Sequence, residues 1–213
     1  MIAAVAMTAT AANAAGNFTG VNAGVHGGYG FGSAKDSATV KNGAGATTAA
    51  ASKTNNMRGM LYGLHLGYNY DFGKMVAGVE GDYSFSNAKG HKNFSNGIRV
   101  EAKRKDSLGL AFKAGYKITD TLLLGAKAGI STTKYKFSAT ASNGFIHAHK
   151  RATAFVPGVF VEKLINDHVT VGAEYSYVAS KKISANFKNA AGSISTSIKP
   201  RSHDMLVRVG YKF

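Results

Sequence analysis

The sequence predicts an all-β fold: an eight-stranded antiparallel up-and-down transmembrane β-barrel with four long external loops and three short periplasmic turns. Three observations lead there. Apolar and polar residues alternate with period two in eight segments. The connections between those segments alternate between short and long. The chain also ends inside an alternating segment, on the aromatic Phe213, where a soluble domain usually lets its last residues fray. The segments run roughly 10–15 residues, enough for the ~9–11 that a tilted strand needs to cross a bilayer.

The first segment sets Val21, Ala23, Val25, Tyr29 and Phe31 against Asn22, Gly24, His26 and Gly28. The second sets Met60, Tyr62, Leu64, Leu66, Tyr68, Tyr70 and Phe72 against Gly63, His65, Gly67, Asn69 and Asp71. In the third, Ala77, Val79, Tyr83 and Phe85 oppose Gly78, Glu80, Asp82 and Ser84. The fourth opposes Leu108, Leu110, Phe112, Ala114, Tyr116 and Ile118 to Gly109, Ala111, Lys113, Gly115 and Lys117. The fifth opposes Leu122, Leu124, Ala126, Ala128 and Ile130 to Gly125, Lys127, Gly129 and Ser131. The sixth is the least regular: Val159 and Val161 oppose Gly158 and Glu162, but Phe160 interrupts the polar side. Pro157, which lacks a ladder donor, is expected near a strand end or bulge. The seventh has Val169, Val171, Ala173, Tyr175 and Tyr177 against Thr170, Gly172, Glu174 and Ser176. The eighth has Met205, Val207, Val209, Tyr211 and Phe213 against Leu206, Arg208, Gly210 and Lys212.

Alternation does not say which face is inside, because a soluble ligand-carrying barrel buries the apolar one. Here the polar faces are rich in glycine with scattered charges, which suits a cramped lumen. Tyr and Phe crowd toward the ends of the apolar faces, as in interfacial girdles. Short turns near Gly73-Lys74, Thr119-Asp120 and Ile165 to His168 alternate with long connections near 33–57, 86–107, 132–153 and 179–202. This asymmetry is that of an outer-membrane barrel. In hydrocarbon a sheet spans only if it closes, so the last strand must pair with the first.

Residues 1–14, "MIAAVAMTATAANA", read as the remnant of a secretory signal peptide, with Ala12-Asn13-Ala14 as a small-x-small cleavage pattern. The barrel domain is then 15–213. No run of ~20 apolar residues follows, so no transmembrane helix is expected. Cysteine is absent, which excludes a disulfide framework, Cys-ligated zinc and a thiol nucleophile.

"GVEGDYSFS" (78–86), "GNFTG" after the Ala-rich leader and the aromatic-x-Phe ending resemble the eight-stranded outer-membrane barrels of the OmpA-like, porin-family surface antigens. The resemblance covers nearly the whole chain after residue 15. It implies a bacterial outer-membrane location, surface antigenicity and adhesion; no periplasmic peptidoglycan-binding domain is expected, because the sequence stops with the barrel. It also implies that the barrel-assembly machinery reads the last strand, with Tyr211 and Phe213 as the signal. The family's glycine five residues before the end is Arg208 in this chain.

The net charge of +15 is unevenly placed. Eighteen of the 26 Lys and Arg, but only three of the 11 acids, lie in the four long connections, so the strands and turns net zero. The body is expected to hold a structural lumen network of Glu80, Asp82, Lys113, Lys127, Glu162, Glu174 and Arg208, because unpaired buried charge is costly. His26 and His65 fall on the same lumen faces. The alternative is a narrow pore for ions or small solutes, although eight strands leave an interior that side chains fill.

"EAKRKD" (101–106), "HAHKR" (147–151) and "SKK" (180–182) form basic loop patches. Lys103, Arg104, Lys105, Lys150, Arg151, Lys181 and Lys182 are the candidates for polyanion contact: lipopolysaccharide phosphates on the bland reading, acidic host-surface glycans on the sharper one. A third reading gives His147 and His149, with His91 or His203, a metal or haem iron, but ordinary loop histidines are the simpler account. No cofactor, no metal and no nucleic-acid partner is expected. His203 and Asp204 neighbour serines, yet no spacing builds a catalytic triad, so no enzyme is expected. The expected role is that of a structural, surface-exposed barrel, with the outer-membrane lipid, lipopolysaccharide and the assembly machinery as partners.

Overall fold

The computed structural model describes residues 18–42, 47–93, 99–141, 144–181, 183–189 and 192–213. Their regular structure is ten β-segments: β1 (Gly20–Asn42), β2 (Thr47–Asp71), β3 (Met75–Ser86), β4 (Lys89–Asn93), β5 (Arg99–Thr119), β6 (Leu122–Ala141), β7 (Gly144–Leu164), β8 (Val169–Ser180), β9 (Ile183–Asn189) and β10 (Gly192–Lys212). Each pairs antiparallel with its neighbours in the order β1-β10-β8-β7-β6-β5-β3-β2, and β2 returns to β1. β4 prolongs β3 and β9 prolongs β8, so the ten segments make eight staves of a closed barrel. At the β3–β4 break Asn87 replaces the ladder. Its N–H donates to the Met60 carbonyl at 3.2 Å, and its Oδ1 accepts from the Met60 N–H at 2.8 Å.

Closure runs through β1 and β10, which pair from Asn22↔Lys212 to Asn42↔Gly192. The Phe213 N–H donates to the Val21 carbonyl at 2.9 Å. No edge is left for the hydrocarbon to face, which is the condition a spanning sheet must meet. Tyr211 and Phe213 contact each other edge-on at 4.9 Å, and His168 of the β7–β8 turn stacks on Tyr211.

The barrel is inside out relative to a soluble one. Leu66 is 59% exposed and Phe112 71%, while Glu80, Lys113 and Arg208 are buried. At the turn end the lumen is plugged by apolar side chains, Phe18, Val76, Leu123, Phe160 and Leu164. Phe160, which interrupts the alternation, therefore belongs to this plug. The space it needs comes from Gly125, where a Cβ would lie 2.6 Å from Phe160 Cζ. Gly73 has φ +97° and closes the β2–β3 turn, with its N–H bound to Asp71 Oδ1 at 2.8 Å.

Two expectations are corrected. The four long connections are mostly paired ladder: β1 and β2 pair out to Lys41↔Thr47, and β6 and β7 out to Ala141↔Gly144. Within the first of them, the Ala/Gly/Thr-rich stretch 38–55 is strand at 38–42 and 47–55. Backbone pairing continues past the bilayer because it does not require the side chains to alternate. Pro157 is neither at a strand end nor at a bulge. The β7–β8 pairing lapses between Phe155↔Ala179 and Gly158↔Ser176 and resumes in the same register. The leader read over 1–14 lies outside the described residues.

The outward position of Leu66, midway along the exposed apolar run from Met60 to Phe72, has a direct consequence. Leu66→Arg is expected to destabilise the folded barrel by about 2–4 kcal/mol, measured by urea titration of folding into lipid vesicles.

Candidate functional site

The register of β5 and β6 places Lys113 opposite Lys127, with Gly78 and Gly158 as their outer neighbours. Like charges directly opposite are destabilising unless acids lie between them. Three glutamates meet that need. Glu80 Oε2 is 3.2 Å from Lys113 Nζ, and Glu80 Oε1 is 3.9 Å from Lys127 Nζ. Glu162 flanks Lys113 at 3.2 Å, and Glu174 flanks Lys127 at 2.6 Å. Arg208 crosses from β10 to join Glu80 at 2.7 Å and also pairs with Glu174. Three cations and three anions thus form one buried, charge-balanced cluster. Lys113 also sits 4.6 Å above the Phe160 ring, which ties the cluster to the apolar plug beneath it.

Asp82 is not a member of this cluster. It accepts a hydrogen bond from Ser84 Oγ at 3.4 Å and, among the described residues, makes no ion pair. Its ladder partners are Gly109 and His65, so neither cross-strand neighbour is a Lys or Arg. Asp82 instead faces a void of about 50 Å³, lined also by His26, Ser84, Ser131 and Ser176 and by Lys127 and Arg208 of the cluster. His26 Nδ1 and Ser131 Oγ have no protein partner, which suits a void holding ordered water. His26 meets Ser84 Oγ at 2.8 Å and stacks on His65, with ring centroids 6.0 Å apart.

Two further ion pairs stand at the lumen ends. Lys117 pairs with the buried Asp71 at 2.8 Å near the turns. At the outer end Arg104 Nη1 lies 3.0 Å from Asp204 Oδ2, and Ser202 Oγ donates to Asp204 as well. Arg104, expected on the basic surface, therefore points inward. The cause is a bulge: the β5–β6 register shifts between Arg104 and Ser107, so the face pointing inward changes parity there. Both pairs join residues far apart in sequence, and only register brings them together.

The other basic candidates are divided. Lys105, Arg151 and Lys181 are exposed and Lys103 half-buried; the side chains of Lys150 and Lys182 lie outside the described residues. Register sets Lys103 between Lys89 and Lys136, and Arg151 opposite Lys134. Lys134 is 2.9 Å from Asp106. The side chains of His91, His147 and His149 are likewise outside the described residues. His203 is on the lipid-facing side, where Tyr175 OH meets its Nδ1 at 2.6 Å, so it is not turned toward a loop metal site.

A closed antiparallel barrel with an apolar outer wall and an ion-paired lumen is the architecture of an outer-membrane protein. The chain matches the outer membrane protein beta-barrel domain family over residues 1–213 and belongs to that family. The crystal structure of the outer membrane protein OprG from Pseudomonas aeruginosa is similar, at 17% identity and TM-score 0.55, covering 93% of this chain and 98% of that one. The crystal structure of the outer membrane protease OmpT from Escherichia coli is similar at 10% identity and TM-score 0.55, covering 91% of this chain and 97% of that one. At these identities the likeness is one of fold. No curated protein matches the sequence. The protein resides in the bacterial outer membrane.

Glu80 touches all three cations of the cluster, so Glu80→Gln leaves a buried excess of positive charge. The expected loss is about 3–5 kcal/mol of folding stability, checked by urea unfolding of the refolded barrel. Phe160→Leu, which keeps the plug apolar, is expected to cost less.

Proposed function

We propose that this protein is a non-conducting, non-catalytic surface barrel whose basic external hairpins hold polyanions such as the acidic glycans of a neighbouring cell surface. The observation that carries this reading is the register of the outer hairpins. Lys103 of β5 is the register partner of Lys89 on β4 and of Lys136 on β6, and His149 of β7 is the register partner of Lys136. Basic positions aligned across neighbouring strands offer a polyanion lying across those strands several cations at once. The chain-wide charge of +15 also favours electrostatically steered encounter with such a partner.

The alternative of a narrow pore is disfavoured by the charge-balanced cluster and the apolar plug, which occupy successive levels of the lumen. Planar-bilayer recordings of refolded protein are expected to show no discrete conductance steps. For the binding itself, immobilised heparin serves as the probe polyanion. Lys103→Gln, Lys105→Gln, Lys136→Gln and Arg151→Gln combined are expected to weaken binding by at least about tenfold in low salt, and raising salt is expected to remove the difference. Binding that ignores both salt and these four changes overturns the reading.

A further inference from the structure

A second feature lies on the lipid-facing wall, away from the basic row of β4–β6. Strand pairing sets Arg58 beside Phe31, Phe31 beside His203 and His203 beside Tyr177. These four outward side chains form one row across β2, β1, β10 and β8. One step outward along the strands the row becomes Asn56, Ser33 and Arg201. One step inward it becomes Met60, Tyr29, Met205 and Tyr175. The wall therefore passes from methionines and tyrosines, through a mixed row of aromatics with Arg58 and His203, to polar residues with Arg201 within three rows, as a bilayer passes from acyl chain to headgroup.

The row is concave. Phe31, Arg58, Tyr177, Arg201 and His203 line a depression of about 500 Å³, with the His203 ring stacked on Phe31 at 5.3 Å. Arg58 and Arg201 are both exposed, and among the described residues neither makes an ion pair. Below it, on the apolar wall, lies a groove of about 430 Å³. Its floor is Ala173, a small residue between Val161 and Val207 on the adjoining strands. Tyr175 and Met205 border this groove and belong to the row just beneath His203 and Tyr177. Ala173 lies four residues from Tyr177, or about 13 Å along the strand.

The geometry points to a binding site for one phosphorylated, multiply acylated glycolipid of the outer leaflet. Arg58 and Arg201 receive its phosphates, His203 and Tyr177 border its sugar, and one acyl chain lies in the groove over Ala173. Charge complementarity selects this occupant: the cations stand where an outer-leaflet headgroup stands, and arginine binds phosphate through a planar, bidentate fork. The apolar groove directly below accounts for the tail, which a free phosphate or a soluble glycan lacks. The site is independent of the hairpin lysines of the proposed polyanion contact.

Native mass spectrometry of the detergent-solubilised, refolded full-length barrel tests this, with bisphosphorylated lipid A as the probe. Heat-modifiable migration on gels verifies that each variant is folded. Arg58→Gln with Arg201→Gln is expected to weaken retention about thirty-fold, from two cations lost at a membrane surface. Removing both phosphates from the lipid is expected to do the same to the unaltered protein. Ala173→Phe, which fills the groove, is expected to weaken retention while leaving the arginines in place. The proposal is overturned if the arginine variant or the dephosphorylated lipid is retained like the reference, if phosphatidylglycerol is retained as well as lipid A, or if Ala173→Phe has no effect. Equal loss from changing Lys105 and Arg151 instead also overturns it, because those residues stand outside the site.

Discussion

The obligation to pair every backbone N–H and C=O in a solvent that offers no partners governs the rest of this structure. An open sheet has two unpaired edges, and in hydrocarbon each unpaired group costs several kcal/mol. Pairing β10 to β1 removes both edges at once. The final Phe213 lies within this constraint: its N–H completes the seam with Val21. Closure then dictates the distribution of side chains, since one face of every stave meets lipid and the other meets a thin axis.

The thinness of that axis explains the chemistry inside it. A small barrel has room for side chains and little else, so long polar residues interleave with glycines. His26 is an example, lying against Gly63, where a Cβ would be 2.7 Å from its Nε2. Charges placed there must balance locally, and the Lys113–Lys127 juxtaposition makes the need acute. Glu80 answers it from a third strand and also engages Arg208 from a fourth. The cluster therefore couples β3, β5, β6, β7, β8 and β10 across the lumen. Charge pairs in a low-dielectric interior contribute little net stability, but breaking one is expensive. Such a network holds the staves in one relative register more than it strengthens the fold.

The outer rim follows different rules, because water and headgroups satisfy what hydrocarbon cannot. Ladders continue there without an apolar face, and a bulge is tolerated between Arg104 and Ser107. That single extra residue turns Arg104 inward onto Asp204, placing an ion pair across the outer part of the lumen. The neighbouring cations remain outside. The cations of the chain are thus sorted by strand geometry: some balance acids along the axis, and the excess is carried by basic outer hairpins and two arginines at the lipid boundary.

The apolar-polar alternation was legible because a strand has a side-chain period of two, and one face must suit lipid. With the glycine-rich polar faces and the aromatic ends of the apolar ones, it assigned Leu66 and Phe112 to the outside, and Glu80 and Arg208 to the inside, without any knowledge of neighbours. The alternation of short and long connections, together with the closure requirement, determined the strand count. What the alternation could not convey is register, which depends on how far each stave is displaced along the next. Register paired Lys117 with Asp71, left Asp82 beside a glycine, aligned Arg58 with His203 and carried the ladders beyond the bilayer. It also revealed the bulge that reversed Arg104 and the plug that gave Phe160 its place. A residue's face is a local property of the chain. Its partner is a property of the closed sheet, and only the tertiary structure decided that.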